Sequence, residues 1–483
     1  MNALPVAEMY IDGCWCAASD RRTYGLIDPA TGQPIMDVPM ATANDVDRAL
    51  EASQRGFQTW RDTDPWTRSR LLRDVARLID ERRDDIAALL TAEQGKPLRE
   101  STAELKGTAE QFDWFADEAR RITTVLVSTS DPRHTATVRR EPIGPVAAFS
   151  PWNFPALLPT RKIAPALAAG CSLILKPADE TPQTALAIAR ACHDAGIPPG
   201  VINVITGDAP AISESLLASP IIRKITLTGS VPIGRRLLQL AAQNIVDATM
   251  ELGGHAPVVI LPGVDPAEAA TACASAKFRN AGQVCISPTR FYVHSDEYAA
   301  FSDAFVAVAK GLRLGAGCDA DTDVGPVGNV RRLATLDELV SDAVTRGAVL
   351  GTGGARVTGE EGFFYEPTVL LDVPETAKAM SEEPFGPLAL LAPYTELDDA
   401  VSRANGTSFG LAAYVLSPET VSGQAVARRL DAGMVGVNHF GLSYAGVPFG
   451  GVKASGIGTE SGSGALDAFL VYKSLHTDSD PSL

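Results

Sequence analysis

The chain has 483 residues, of which 45% are hydrophobic and 21% charged, the composition of an ordinary soluble globular protein of two to four folding units. Its net charge of −16 argues against nucleic acid and anionic membranes as partners. No apolar run reaches the roughly 18 residues that span a bilayer. Met1 to Glu8 lacks the basic stretch and apolar core of a signal peptide. Seven cysteines, at 14, 16, 171, 192, 273, 285 and 318, form no CxxC pair, and six histidines show no metal-ligand spacing. A reducing, cytoplasmic location with no metal site is expected.

Residues 1–40 read as short strands and turns. From Asn44 to about Arg120 the pattern is helical: Asp45 to Trp60 behind an Asn cap, then one helix from Trp66 to Leu90. In the latter, Leu71, Leu72, Val75, Leu78 and Ile79 share a face. Gly95-Lys96-Pro97 breaks the run, and Ser101 to Arg121 resumes it. Residues 122–140 are rich in Thr, Val and Ser and read as an extended arm.

Strand-like and helix-like stretches then alternate. Strands are expected at Val146 to Phe149, Leu173 to Leu175, Val201 to Val204 and Ile222 to Leu227. Helices are expected at Arg161 to Ala169, Thr184 to Ala195 and Ile233 to Ala242. A second alternating section runs through strands at Pro257 to Leu261 and Arg290 to Val293, with helices near 266–279 and from Asp296 to Lys310. This is the pattern of a doubly wound α/β sheet. Gly351 to Gly354 and Gly362 mark loops. A glycine-rich section from Gly433 to Gly464 precedes a final strand at Phe469 to Tyr472.

Five stretches carry candidate chemistry: Pro151-Trp152-Asn153-Phe154-Pro155 and Leu175-Lys176-Pro177-Ala178-Asp179, each after a strand; Leu227-Thr228-Gly229-Ser230 before a helix; Glu251-Leu252-Gly253-Gly254, with Cys285 34 residues later; and Glu382-Glu383-Pro384-Phe385-Gly386-Pro387. Cys285 lies in Phe278-Arg279-Asn280-Ala281-Gly282-Gln283-Val284-Cys285-Ile286-Ser287. A lone cysteine is more often a small buried hydrophobe than a nucleophile. The five stretches in this order, with Pro448-Phe449-Gly450-Gly451-Val452-Lys453 after them, resemble the NAD(P)-dependent aldehyde dehydrogenase superfamily, and the resemblance runs from Gly13 to the last strand.

The resemblance implies an aldehyde dehydrogenase-like α/β fold. A Rossmann-variant cofactor domain would comprise 1–121 and 142–251, and a catalytic domain 252–453. A β-arm of 122–141 and 465–483 would join subunits into a homodimer or homotetramer. It implies Cys285 as nucleophile, Asn153 as oxyanion donor together with the Cys285 backbone N–H, and Glu251 as the base that activates water. Lys162 and Glu460 match a proton relay, although Thr459 stands where relatives often carry Arg. The cofactor, NAD in preference to NADP, would meet Trp152, Lys176, Asp179, Gly207, Gly229, Ser230, Glu383 and Phe385. The string Gly-Ser-Val-Pro-Ile-Gly from Gly229 is not the usual GxGxxG, as in this family. Asp179 replaces a frequent Glu or Ser.

Each residue type suits its task. A thiolate adds to a carbonyl and makes an oxyanion able to expel hydride. A side-chain amide stabilises that oxyanion, and a carboxylate takes a proton from water. N–H groups at a helix start suit a pyrophosphate. Arg161, Arg279 and Ser443 match the carboxylate clamp of succinate-semialdehyde dehydrogenases, since a guanidinium fork gives bidentate, charge-assisted hydrogen bonds. Residues 277–291 and Trp114 to Glu118 also look like 2-ketoglutaric semialdehyde dehydrogenases. Ser287 stands where some semialdehyde enzymes have a second cysteine, so a local disulfide is unavailable. A broad-specificity aldehyde dehydrogenase remains an alternative, and a CoA-acylating enzyme or a non-catalytic scaffold fits less well, because Glu251, Cys285 and Asn153 are all present.

Overall fold

The alternation read over 146–251 forms the parallel centre of an eight-stranded sheet. The computed structural model describes residues 7–478 apart from 132 and 360. Residues 1–6, part of the stretch read for a leader and of the first cofactor segment, and 479–483, the end of the expected arm, lie outside the described residues. The sheet order is Gly456–Ile457, Asp247–Glu251, Lys224–Thr228, Val146–Phe149, Leu173–Lys176, Ile202–Val204, Met9–Ile11 and Cys14–Cys16. The five from Asp247–Glu251 to Ile202–Val204 are parallel. Val-Ala-Ala-Phe, Leu-Ile-Leu-Lys and Lys-Ile-Thr-Leu-Thr are buried at every position, as strands covered by helices on both faces must be.

The chain lays down Val146–Phe149 first, builds Leu173–Lys176 and Ile202–Val204 on one side of it, then returns to place Lys224–Thr228 and Asp247–Glu251 on the other. Such a reversal opens a crevice at the carboxyl ends of the strands. There the chain continues into Pro151-Trp152-Asn153, Pro177-Ala178-Asp179, Gly229-Ser230 and Gly253-Gly254.

A second sheet of seven strands takes the order Val349–Thr352, Thr368–Leu371, Leu388–Tyr394, Pro288–His294, Ala256–Ile260, Ala412–Leu416 and Met434–Val437. All but Val349–Thr352 are parallel. It presents its amino ends to the same crevice: Gly254 enters Ala256–Ile260, Ile286 enters Pro288–His294, and Glu383 to Pro387 enters Leu388–Tyr394. The site is therefore the seam between two sheets.

Four details depart from the sequence reading. The first helix, Ala43–Arg61, is capped by Thr42 and not by Asn44, because Asp45 returns the bond and completes a capping box. The helix read from Trp66 to Leu90 is two, Pro65–Glu81 and Arg83–Gln94. Arg82 leaves helical geometry between them while the apolar stripe continues through Ile86 and Leu90 in phase, so periodicity alone reads one helix. Gly351 and Thr352 belong to a strand. The glycine-rich tail folds back as Gly456–Ile457 against Asp247–Glu251, where a Cβ on Gly456 would lie 2.2 Å from the Met250 carbonyl.

The arm forms an antiparallel sheet of Val125–Ser128, His134–Pro142 and Leu470–Asp478. Val125, Leu126, Val127, Tyr472 and Leu475 are exposed on it. Among the described residues, no helix is long and apolar enough to cross a membrane, and no three His, Cys, Asp or Glu side chains gather as a metal site.

Candidate active site

The Cys285 turn is built on left-handed backbone. Asn280, Ala281 and Gly282 take φ of 49°, 51° and 70° in succession. For alanine this conformation costs roughly 1–2 kcal/mol, and such strain concentrates at functional sites. At Gly282 no side chain fits, since a Cβ would lie 2.1 Å from the Gly386 carbonyl. The turn brings Cys285 to the wall of a cavity of about 630 Å³. Gly254 is equally constrained: a Cβ there would lie 2.2 Å from the Cys285 carbonyl. This is why Glu251-Leu-Gly-Gly can pass directly beneath the cysteine.

Asn153 is buried, and its Nδ2 donates to the Gln283 carbonyl at 2.9 Å. A carbonyl accepts only from the nitrogen, so the amide orientation is fixed. One amide hydrogen remains for another acceptor. Gln283 was part of the motif but carried no expected role. It also accepts the Gly328 N–H at 2.8 Å and so ties the turn to the loop after Val327.

Both carboxylate oxygens of Glu251 are buried and without a hydrogen-bond partner. Burial and the neighbouring Glu460 hold its pKa well above the usual carboxylate range, against Lys162 and Arg161. Burial likewise pushes the Cys285 thiol up to about 12; Glu383, Glu251 and Glu460 add to the rise, and Arg161 opposes it. These surroundings favour the neutral thiol of Cys285 over the thiolate. The same burial makes the Glu251 carboxylate, whenever it is ionised, a stronger proton acceptor.

Lys162 donates to Thr228 Oγ1 at 2.7 Å and is paired with Glu460. Lys162 and Arg161 are consecutive in the helix Leu157–Ala169, so their side chains diverge by roughly 100°. Lys162 faces Glu460 and Thr228, while Arg161 faces the cavity. The buried Arg161 donates from Nη2 to Ser443 Oγ at 2.6 Å, and its guanidinium carbon lies 4.0 Å from the Phe449 ring centroid. Its Nε has no partner. Arg279 is exposed on the same cavity, above Phe154, and its charge acts on Glu100. Arg161, Ser443 and the turn that carries both Arg279 and Cys285, three segments distant in sequence, line one space.

A second cleft of about 670 Å³ lies at the carboxyl ends of the first sheet. Lys176, Asp179, Gly207, Gly229 and Ser230 line it, and Lys176 is paired with Asp179. Gly207, at φ 117°, passes so close to Met40 and Ala41 that a Cβ would lie 2.9 Å from each. The helix Val231–Ala241 starts at Ser230 without a side-chain cap, which leaves its first N–H groups to a ligand. The Gly229 N–H is not among the free donors, because the Glu251 carbonyl takes it at 2.9 Å in continuing the parallel ladder.

Trp152 does not line this cleft. It packs edge-on to Phe385 at 5.5 Å and against Gly328. Glu383 accepts the Gly254 N–H at 3.0 Å; burial raises its pKa to about 7. Lys277, absent from the expected set, is fully buried, contacts Ser287 Oγ at 3.4 Å, and is pushed down to about 7 by burial against the opposing pull of Glu383.

A half-buried thiol on a strained turn, an amide and a carboxylate near it, and a second cleft on the adjoining sheet form an arrangement suited to aldehyde oxidation. The aldehyde dehydrogenase family model matches residues 15–475, and the chain belongs to that family. It is an oxidoreductase that acts on aldehydes. It is 43% identical over 470 residues to 4-(hydroxymethyl)benzenesulfonate dehydrogenase TsaD1 of Comamonas testosteroni, covering 97% of this chain and 98% of that one. The crystal structure of succinate-semialdehyde dehydrogenase from Burkholderia pseudomallei superposes with a TM-score of 0.96 at 40% identity, over 99% of both chains. That of an NADP-dependent enzyme from E. coli does so with 0.96 at 38%, over 98% of both.

Proposed function

We propose that the enzyme oxidises a short aldehyde ending in a carboxylate, succinate semialdehyde in the first place, to the dicarboxylate. The observation that carries this is the presence of Arg161, Arg279 and Ser443 in the cavity of Cys285. In a chain of net charge −16, these local cations are what draws in an anion.

Glu251 takes the thiol proton, and Cys285 Sγ adds to the aldehyde carbon. The free Asn153 amide hydrogen and the Cys285 backbone N–H hold the resulting oxyanion. A bound nicotinamide dinucleotide supplies the acceptor for the hydride. Lys176 and Asp179 would hold its adenosine ribose, the start of the helix at Ser230 its pyrophosphate, and Glu383 the second ribose beside Phe385. Collapse of the oxyanion leaves a thioester on Cys285. Glu251 gives the thiol proton up by way of Lys162 and Glu460; with no hydrogen bond to anchor it, it then takes a proton from the water that attacks the thioester, and the Cys285 thiolate leaves.

NAD is the preferred cofactor in this reading, because the Asp179 carboxylate beside the ribose opposes a 2′-phosphate. The reading also divides the chain into a cofactor domain of 1–121 and 142–251, a catalytic domain of 252–453, and an arm whose exposed apolar edge suits a second copy in a homodimer or homotetramer. All seven cysteines are free thiols, in keeping with the cytoplasm.

A second reading is an aromatic aldehyde bearing an anionic group. Phe154, Phe278 and Phe449 wall the cavity, whose volume exceeds the need of a four-carbon substrate, and TsaD1 is named for a benzenesulfonate. One panel tests both: NADH formation without CoA from succinate, glutarate and 2-ketoglutaric semialdehydes, 4-formylbenzenesulfonate and butyraldehyde. Butyraldehyde as the best substrate would make the enzyme a general aldehyde dehydrogenase. A requirement for CoA would make it an acylating one.

A further inference from the structure

Lys96 lies in the break between the helices Arg83–Gln94 and Leu98–Ala119, far in sequence from every motif above, and its side chain is fully buried. Its Nζ donates to Glu104 Oε2 at 2.7 Å and to the backbone carbonyl of Asn153 at 2.7 Å. The ammonium also lies 4.0 Å from the Phe154 ring centroid. The same Asn153 carbonyl accepts from Asn280 Nδ2 at 3.0 Å. Two donors thus occupy both lone pairs of one peptide oxygen, and one of them is a cation. Glu104 uses its second oxygen to accept the N–H groups of Ala156 and Leu157, at 2.8 and 3.0 Å, where the helix carrying Arg161 and Lys162 begins.

A buried ion pair of this kind is poor value as stability alone. Desolvation of both charges offsets most of their attraction, and apolar replacements are often neutral or better. Burial pulls the Lys96 ammonium down, and Glu104 opposes the fall without cancelling it. What the pair does have is geometry. It fixes the peptide at Asn153 from below while the Gln283 carbonyl fixes the amide from the side. Oxyanion donors act by being placed beforehand, and an error of a fraction of an ångström is felt in the barrier.

We propose that Lys96 and Glu104 are positioning residues for the oxyanion site: the pair sets the Asn153 peptide, and through it the amide, at the point where charge develops in the reaction. The inference rests on the reading of Asn153 as oxyanion donor, so the test is a double-mutant cycle that separates the two. Lys96→Met/Glu104→Gln removes both charges of the ion pair together and leaves the neighbouring Glu100 with Arg279 as a cation. It is combined with Asn153→Ala, and kcat, KM, NAD binding and thermal midpoint are measured on the full-length enzyme with the fastest aldehyde of the panel.

Asn153→Ala alone should lower kcat by about a hundredfold. The Lys96/Glu104 pair should lower kcat at least tenfold with NAD affinity unchanged. In the Asn153→Ala background the same pair should change kcat less than twofold, because nothing is left to position. Equal losses in both backgrounds would make the pair a general structural support and overturn the inference while sparing the role of Asn153. An unchanged kcat for Asn153→Ala would overturn that role itself. If the double variant does not fold, Lys96→Arg keeps the cation paired with Glu104 but presses a longer head on the Asn153 carbonyl. It should lower kcat only where Asn153 is present, and a loss that persists without Asn153 would again overturn the inference.

Discussion

Arg161 donates to Ser443 Oγ at 2.6 Å across 282 residues of chain, and in the same position lies over the Phe449 ring. The guanidinium is thus held on two sides and has an unpartnered Nε to spare. Arg279, by contrast, is exposed and held only loosely over Phe154. The two arginines therefore separate two effects that a clamp combines, stability and substrate binding.

Arg279→Ala should leave the thermal midpoint unchanged and lower kcat/KM for succinate semialdehyde by about ten- to a hundredfold. That is the loss of a hydrogen bond to a charged group, ~1.5–3 kcal/mol. Butyraldehyde, which has no carboxylate, should lose much less. The ratio of the two losses decides, and equal losses would remove the clamp. Arg161→Ala should lower both kcat/KM and the thermal midpoint.

Glu251→Gln should slow thioester hydrolysis more than hydride release. A rapid pre-steady-state burst of NADH followed by near arrest is the expected trace. Loss of the burst together with the steady state would mean that the carboxylate is needed to deprotonate Cys285, which its raised pKa also suits.

The Cys285 thiol, pushed up to about 12, predicts a particular pH dependence. A raised thiol pKa means that the thiolate fraction is small at neutral pH and grows tenfold per pH unit until the pKa is approached. Iodoacetamide labelling of Cys285 in the free enzyme, followed by peptide mass spectrometry, should rise steadily from pH 7 to 10. A plateau below pH 9 would show a thiolate already stabilised without ligands.

Asp179→Ser should improve the use of NADP relative to NAD. Two unit charges about 4 Å apart in an effective dielectric of about 20 repel by roughly 4 kcal/mol, and the partial exposure of Asp179 and its pairing with Lys176 reduce this. Equal kcat/KM for the two cofactors in the unmodified enzyme would refute the preference.

The motifs about Asn153, Glu251 and Cys285 were legible because each is a short contiguous string whose residue types suit one chemistry. The same holds for the strand and helix alternation, which needs only local burial patterns. The sequence by itself determined the family, the two alternating sections and the candidate chemical groups.

Tertiary structure alone decided which groups meet and in what state. Lys96 and Lys277 carried no role in the sequence reading, because a charge carries no local sign that it will be buried. Gln283 joins Asn153 only when the two sheets are joined. The Gly229 N–H turned out to be spent on the Glu251 carbonyl, a consequence of parallel strand register that no turn motif reveals. The raised pKa of Cys285 comes from burial and from Glu383, Glu251 and Glu460, brought to it from three separate segments. Desolvation and charge proximity are properties of three-dimensional distance, and a chain order fixes those distances only through its fold.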